Sequence, residues 1–295
     1  MEFKKQKHLL TQREEANAFR FLSQSEDLID FCSNDYLGLS KKGEEFEGVQ
    51  IKGSGGSRLL AGNYPEIQDF EVFLSRYHKA DEALMFNSGY SANVGFFSSV
   101  PQKGDTILYD EYIHASVKDG MRLSFAKTYS FKHNDVKDLE KKLKYTEGDV
   151  YVAVESVYSM DGDSAPLNEL VEFCERENLI LIVDEAHGVG VFGDYGEGLV
   201  QHLQIEQKVP IRIITFGKAV GAHGAAVLSN LTIKNFLINF CRSFIYTTAL
   251  PPHVIKSLES SYAIIKTGSL SQLLMKKIEL FKTQFYFSDS KKLIA

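Results

Sequence analysis

Cysteine is scarce: the chain of 295 residues has three, and Cys32, Cys174 and Cys241 stand far apart with no C-x-x-C. That spacing offers neither a structural zinc site nor a disulfide framework, and it suits a reducing compartment, the cytoplasm. No stretch reaches the roughly 18 uninterrupted apolar residues of a membrane span. The N-terminal MEFKKQKHLLTQREEANAFRFL carries mixed charge and lacks the apolar core of a secretory signal. An excess of positive charge is missing too. With 33 basic and 39 acidic residues the net charge is −6, which argues against general nucleic-acid binding but leaves room for a local basic patch that meets an anionic substrate. No string of the form GxxxxGK[ST] occurs, so D-E-A-H at 184–187 does not read as a helicase box. GSGGSRLLAGN departs from GxGxxG at Arg58, which disfavours a Rossmann dinucleotide site. There is no internal repeat and no low-complexity linker.

The rest is ordinary globular material, 44% hydrophobic and 24% charged, long enough for a large core in one or two domains. The first 22 residues read as a polar amphipathic helix, and Leu28 to Phe31 as a short strand before the turn-rich SNDYLGLS. Beyond Pro65, Ile67, Phe70, Phe73, Leu74 and Tyr77 recur at helical spacing. Strand-like and helix-like segments then alternate. EALMF, TILY, YVAVES, LILIVDE and IRIITF are the clearest strands, and 90–99, 114–123, 135–144 and 167–177 read as helices. Such alternation implies βαβ units, hence an α/β fold with a mostly parallel central sheet flanked by helices. After residue 231 the pattern is mainly helical.

Parallel strands deliver side chains to one sheet edge, where α/β enzymes place their chemistry. Asp184 and His187 close the strand LILIV, and Lys218 follows IRIITF among Gly217, Ala219, Gly221 and Ala222. A lysine is most often a solvated surface group, an acidic residue at a strand end is often only a helix cap, and His114 alone is a plain helix-start residue. Together, one carboxylate, two imidazoles and an amine fit a pyridoxal 5′-phosphate (PLP) site. Lys218 would hold the aldehyde as a Schiff base, Asp184 would pair with the pyridinium nitrogen, and a histidine could stack on the ring. Ser88-Gly89-Tyr90, between EALMF and the next helix, reads equally as a phosphate cradle or a plain strand–helix turn. Ser159 and Thr215 add hydroxyls near the same edge, and Arg20 and Arg58 are candidates for an acidic substrate tail.

The strings FCSNDYLGLS, GSGGSRLLAGN, NSGYSANVG, YIHAS, FKHNDV, ESVYSMDGDSAPL, LIVDEAHGVGVFGDYGEG, TFGKAVGAHGAAVL and IYTTALPP occur in this order from about residue 13 to about 252. In them the chain resembles the α-oxoamine synthases, PLP-dependent acyltransferases of the aspartate aminotransferase fold (fold type I). TFGKAVGAHGAAVL and FIYTTALPP resemble most the branch that makes 8-amino-7-oxononanoate for biotin. The resemblance implies that Lys218 carries the cofactor and acts as base, Asp184 holds the pyridinium nitrogen, His187 bonds the phenolic oxygen and His114 stacks on the ring. Ser88, Gly89 and Tyr90 would serve the phosphate end, with Ser159 and Thr215 lining the pocket. Arg20 and His114 would meet the substrates, L-alanine and a pimeloyl thioester on CoA or a carrier protein, in a decarboxylative condensation. The resemblance also implies a homodimer, with Thr247 and Thr248 approaching the neighbour's phosphate. The expected organisation is an N-terminal helix and strand segment over 1–40, a large PLP-binding domain over 41–250, and over 251–295 the beginning of a smaller C-terminal domain. That domain would carry further substrate contacts, so the chain by itself is expected to bind PLP weakly and turn over poorly.

Overall fold

The computed structural model describes residues 4–20, 33–40 and 53–285. The strand expected at 28–31 and the last ten residues lie outside these. The chain divides into two compact units, Met1–Ser33 and Asn34–Ala295. In the first, α1 (Lys4–Glu15) is shorter than the 22-residue helix the sequence suggests. Asn17 takes a left-handed φ of 50°, and the Ala18 N–H bonds back to the Arg13 carbonyl at 2.8 Å, which closes the last turn. Residues 5–20, Arg20 included, are exposed.

The second unit is built on seven strands: β1 (Glu82–Phe86), β2 (Thr106–Asp110), β3 (Lys127–Phe131), β4 (Val150–Glu155), β5 (Ile180–Asp184), β6 (Ile211–Thr215) and β7 (Ala225–Ser229). They form one sheet in the order β1-β7-β6-β5-β4-β2-β3, with β7 alone antiparallel to its neighbours. The helices between and after them are α2 (Pro65–Tyr77), α3 (Gly89–Ser99), α4 (Ala115–Leu123), α5 (Val136–Lys142), α6 (Leu167–Glu177), α7 (Leu199–His202), α8 (Leu231–Phe240), α9 (Arg242–Ile245), α10 (Pro252–Ile265) and α11 (Ser269–Phe285). Alternate strand residues enter opposite cores. Ile182 and Ile213 pack with Phe96, Phe97 and Val117 of α3 and α4. Leu181 and Val183 pack with Leu170 and Val171 of α6, and Ile214 with Phe70 and Leu74 of α2 and Leu258 of α10. Burial on both faces is why these strands read as continuous apolar runs.

The five strands legible in the sequence are all present. β3 and β7 are additional. β3 lies at the sheet edge with only Phe131 buried, so its polar KTYSF gives no apolar signal. β7, AAVLS, is buried throughout but made of small residues that blend into the preceding loop.

One buried polar group deep in this packing sets an acid limit. His78, at the end of α2, shares hydrogen bonds with the Tyr262 hydroxyl and the Glu197 carbonyl, each at 3.1 Å. Burial, with Arg212 nearby, pushes its pKa down to about 3. Between that value and the ordinary 6.5 the unfolded chain binds a proton that the folded one refuses, so stability falls as pH drops through this window. Glu185, fully buried, is pushed up to about 7, so it contributes the opposite slope, stability falling as pH rises from about 4.5. Urea unfolding followed against pH should therefore show a maximum on the acid side of neutrality. In His78→Gln the acid limb should be shallower by up to about 1.4 kcal/mol per pH unit; an unchanged limb would mean that His78 titrates normally.

Candidate active site

The strands β1 to β6 run in one direction and end at one edge of the sheet, where β1, β2, β4, β5 and β6 lead into a polar constellation. Past the end of β1 comes Ser88, the N-cap of α3, whose side chain accepts the Ser91 N–H at 3.1 Å in a capping box. The cap leaves the Gly89 and Tyr90 amides, at the first two helical positions, free to face an anion. A Cβ on Gly89 would meet Thr215 Oγ1 at 3.3 Å, at the end of β6, a tight contact that glycine avoids. The Tyr90 hydroxyl points elsewhere and donates to Asp119 at 2.6 Å. Thr247 and Thr248 join this end, where the Asn87 amide donates to Thr247 Oγ1 at 3.0 Å and to the Thr248 carbonyl at 2.6 Å.

Asp184 closes β5, and its carboxylate is buried. It accepts from the Asn93 amide at 2.8 Å and from the Ala186 N–H at 2.9 Å. The same Asn93 amide donates to Ser116 at 3.0 Å, and Ser116 shares a 2.7 Å bond with His114 Nδ1. His114 is the N-cap of α4, its ring exposed and accepting the Ser116 N–H, so the plain helix-start role and a place at the site coexist. Its own N–H donates to Glu155 at 2.6 Å. Glu155 ends β4 directly opposite Asp184 in the strand register. Burial and then the Asp184 charge push its carboxyl well above the usual carboxylate range, while Lys218 pulls the other way. A protonated Glu155 puts no second negative charge beside Asp184.

Lys218 lies in the tight loop between β6 and β7, which is tied by Phe216 N–H to the Gly224 carbonyl (2.9 Å) and Ala222 N–H to the Phe216 carbonyl (2.8 Å). Its amine shares a 2.6 Å hydrogen bond with His187 Nε2, and His187 Nδ1 shares one of 2.7 Å with the Tyr36 hydroxyl. Burial lowers the lysine pKa against the pull of Asp184 and Glu155, so the amine is biased toward its nucleophilic form. Burial, then Lys218 and His114, push His187 down to about 3, which leaves a neutral imidazole.

Sequence reasoning thus named Asp184, His187, Lys218 and His114, which the fold gathers at one edge, and Ser88, Gly89 and Thr215, which share its β1–β6 corner. Ser159 is partly buried in the turn just past β4. Arg58 is a correction: it forms a two-pronged ion pair with the buried Glu71 at 2.8 and 3.2 Å and donates to Asn63, so it is a strut of the scaffold and not a free anion receptor. Arg20 belongs to the first unit. Tyr36, Asn93, Ser116 and Glu155 went unnoticed, although Glu155 could have been found as a second acid closing an apolar strand. A separate cavity of about 160 Å³, lined by Lys79, Glu206 and Arg212, lies where β6 begins, at the opposite edge of the sheet.

The donor set fits PLP. A buried acid suits a pyridinium nitrogen, a desolvated amine suits an aldehyde, and a helix N-terminus opened by glycine suits a phosphate. Asn93 Oδ1, buried beside Asp184, has no hydrogen-bond partner, as expected where a further polar group belongs.

The model of the aminotransferase class I and II family matches residues 26–286. An 8-amino-7-oxononanoate synthase of Emericella nidulans is 43% identical over 270 residues, 83% of this chain and 66% of that protein. A putative 8-amino-7-oxononanoate synthase of Methanococcus vannielii is 40% identical over 280 residues, 90% of this chain and 75% of that protein. Among solved structures, a serine palmitoyltransferase of S. paucimobilis with bound PLP–myriocin superposes with a TM-score of 0.81 at 29% identity, covering 90% of this chain and 73% of that one. The chain thus spans about two thirds to three quarters of the length of these proteins. No helix among the described residues is long and apolar enough to cross a membrane. With the fold, the edge constellation and these likenesses in agreement, the chain belongs to the aminotransferase class I and II family, on its α-oxoamine synthase branch.

Proposed function

We propose that the protein is a PLP-dependent acyltransferase that joins L-alanine to a pimeloyl thioester, on CoA or a carrier protein, with loss of carbon dioxide and release of the thiol, giving 8-amino-7-oxononanoate. The observation that carries this reading is the amine of Lys218 held 2.6 Å from a neutral His187 at the sheet edge that also bears the buried Asp184. PLP, when bound, supplies an electron sink for negative charge at the amino acid's α-carbon. Lys218 would hold it and, with its amine free, would take the α-proton on Nζ. Asp184 keeps a proton on the ring nitrogen, with its orientation fixed by the Asn93 amide and the Ala186 N–H. His187 directs Nε2 toward the lysine end, and His114 covers the opening while Ser116 holds its ring. The Gly89 and Tyr90 amides would hold the phosphate, with Thr215 beside Gly89. Ser159 would line the wall. The protein would work as a cytoplasmic homodimer, with Thr247 and Thr248 serving the neighbouring site and the helices after residue 251 beginning a smaller domain.

The likeness to serine palmitoyltransferase favours a second reading, the same chemistry with serine and a longer acyl group. The purified protein incubated with PLP should develop a visible absorption band that borohydride traps on Lys218. A panel of alanine, glycine and serine against pimeloyl, acetyl and palmitoyl thioesters should then favour alanine with pimeloyl. Preference for serine with palmitoyl would select the second reading, and a folded protein without the band would reject both.

A further inference from the structure

Beyond Lys218 and His187 the hydrogen bonds continue outward in a line. His187 Nδ1 meets the Tyr36 hydroxyl at 2.7 Å, and that hydroxyl meets Asn34 Oδ1 at 3.2 Å. Asn34 is exposed, so the line ends at solvent. Its backbone is well anchored. Leu37 and Leu39 are buried in the core, Asp35 accepts the Leu39 N–H at 3.0 Å, and a Cβ on Gly221 of the lysine loop would strike the Ser40 nitrogen.

Proton counting restricts what this line can do. His187 is a neutral imidazole with one N–H, since burial and the neighbouring Lys218 and His114 disfavour its cation. Tyr36 keeps its proton, burial pushing the phenol up to about 12. Two arrangements satisfy the bonds. In one, an ammonium at Lys218 donates to a bare Nε2, Nδ1–H donates to Tyr36, and Tyr36 donates to Asn34. In the other, Nε2–H donates to the lone pair of a neutral Lys218, Tyr36 donates to Nδ1, and the Asn34 oxygen turns to water.

We propose that Tyr36 is a positioning residue that sets the tautomer of His187 and, with Asn34, completes a proton relay between Lys218 and solvent in the cofactor-free protein. The inference deepens the function proposed above and rests on Lys218 as its base. In the outward direction Lys218 gives a proton to Nε2, Nδ1 gives its proton to the Tyr36 oxygen, and the Tyr36 proton passes to a water at Asn34. The reverse sequence reloads the lysine. The charge entering at one end equals that leaving at the other, and no residue between them is left ionised. The groups that face Lys218 and bias the relay are Asp184, which favours the ammonium, Glu155, which does so only when it has lost its proton, and His187 itself, with His114 acting on His187.

The test uses the cofactor-free protein with ¹⁵N-labelled histidine, reading the His187 tautomer from its ring nitrogens across pH. Wild type should pass from Nδ1–H to Nε2–H as Lys218 loses its proton. Asn34→Asp, a stronger acceptor for the Tyr36 proton, should extend the Nδ1–H form to higher pH. Asn34→Leu, which removes that acceptor, should extend the Nε2–H form to lower pH. In a Tyr36→Phe background the Asn34→Leu shift should vanish and the Asn34→Asp shift should shrink to what the introduced charge alone produces. Shifts in the same direction, no shifts, or shifts undiminished by Tyr36→Phe would overturn the relay. Failure to bind PLP, read separately from the absorption band, would overturn the proposed function and leave this result standing.

Discussion

Replacing Lys218 with alanine should leave the protein folded, remove the borohydride-trapped attachment of PLP, and lower condensation by at least about 10³-fold. General-base catalysis alone contributes about 10²- to 10⁴-fold, and the covalent role adds to it. The side-chain amine is hydrogen-bonded to His187, inside a loop whose own backbone bonds do not involve it, so truncation should spare the fold. Denaturant unfolding, an absorption spectrum with PLP and a turnover assay on the same preparation separate the three effects. A variant that still turns over within about tenfold of wild type would place the base elsewhere.

Arg58→Ala should have the largest effect on stability, about 3–5 kcal/mol in denaturant unfolding, because it strands the buried Glu71 carboxylate. Among the described residues Glu71 would then keep only the Met85 N–H at 2.8 Å as a donor. The ion pair joins the glycine-rich loop to α2 and β1, so its loss should also loosen the turn that leads to Ser88. Removing both charges, in Arg58→Met with Glu71→Leu, should recover much of the loss, since two apolar side chains leave no unpaired charge behind. A cost below about 1 kcal/mol for Arg58→Ala would mean that the pair behaves as an exposed one.

What could be read from the sequence followed physical rules. β4, β5 and β6 are buried on both faces, so YVAVES, LILIVDE and IRIITF announce themselves, and the polar residue that closes each one marks the edge where chemistry collects. Lys218 and Asp184 were visible for that reason. β3 was not, because an edge strand with one buried side chain carries no period. Asn93 and Ser116 sit on helices whose sequence says nothing about the groups across the sheet that they orient, and their role exists only in three dimensions. Arg58 misled because an arginine beside a glycine-rich loop looks free until its partner 13 residues along is seen to be buried. Tyr36 sits in the turn-rich SNDYLGLS, where nothing nearby in the sequence marks its hydroxyl as the partner of His187, 151 residues away.

The reversed strand β7 carries a consequence for how the protein emerges from the ribosome. Among the described residues β1 pairs with β7 alone, Glu82 against Ser229 and Phe86 against Ala225. Until β7 is made, the apolar ALMF lacks the strand that flanks it in this sheet. At ordinary rates of synthesis that wait lasts on the order of 10 s, long enough for an unpaired edge to meet another copy or a chaperone. The Lys218 loop closes locally between two adjacent strands and can form as soon as they do. The Ser88–Tyr90 turn, at the end of β1, is the corner of the site that must wait longest for its frame.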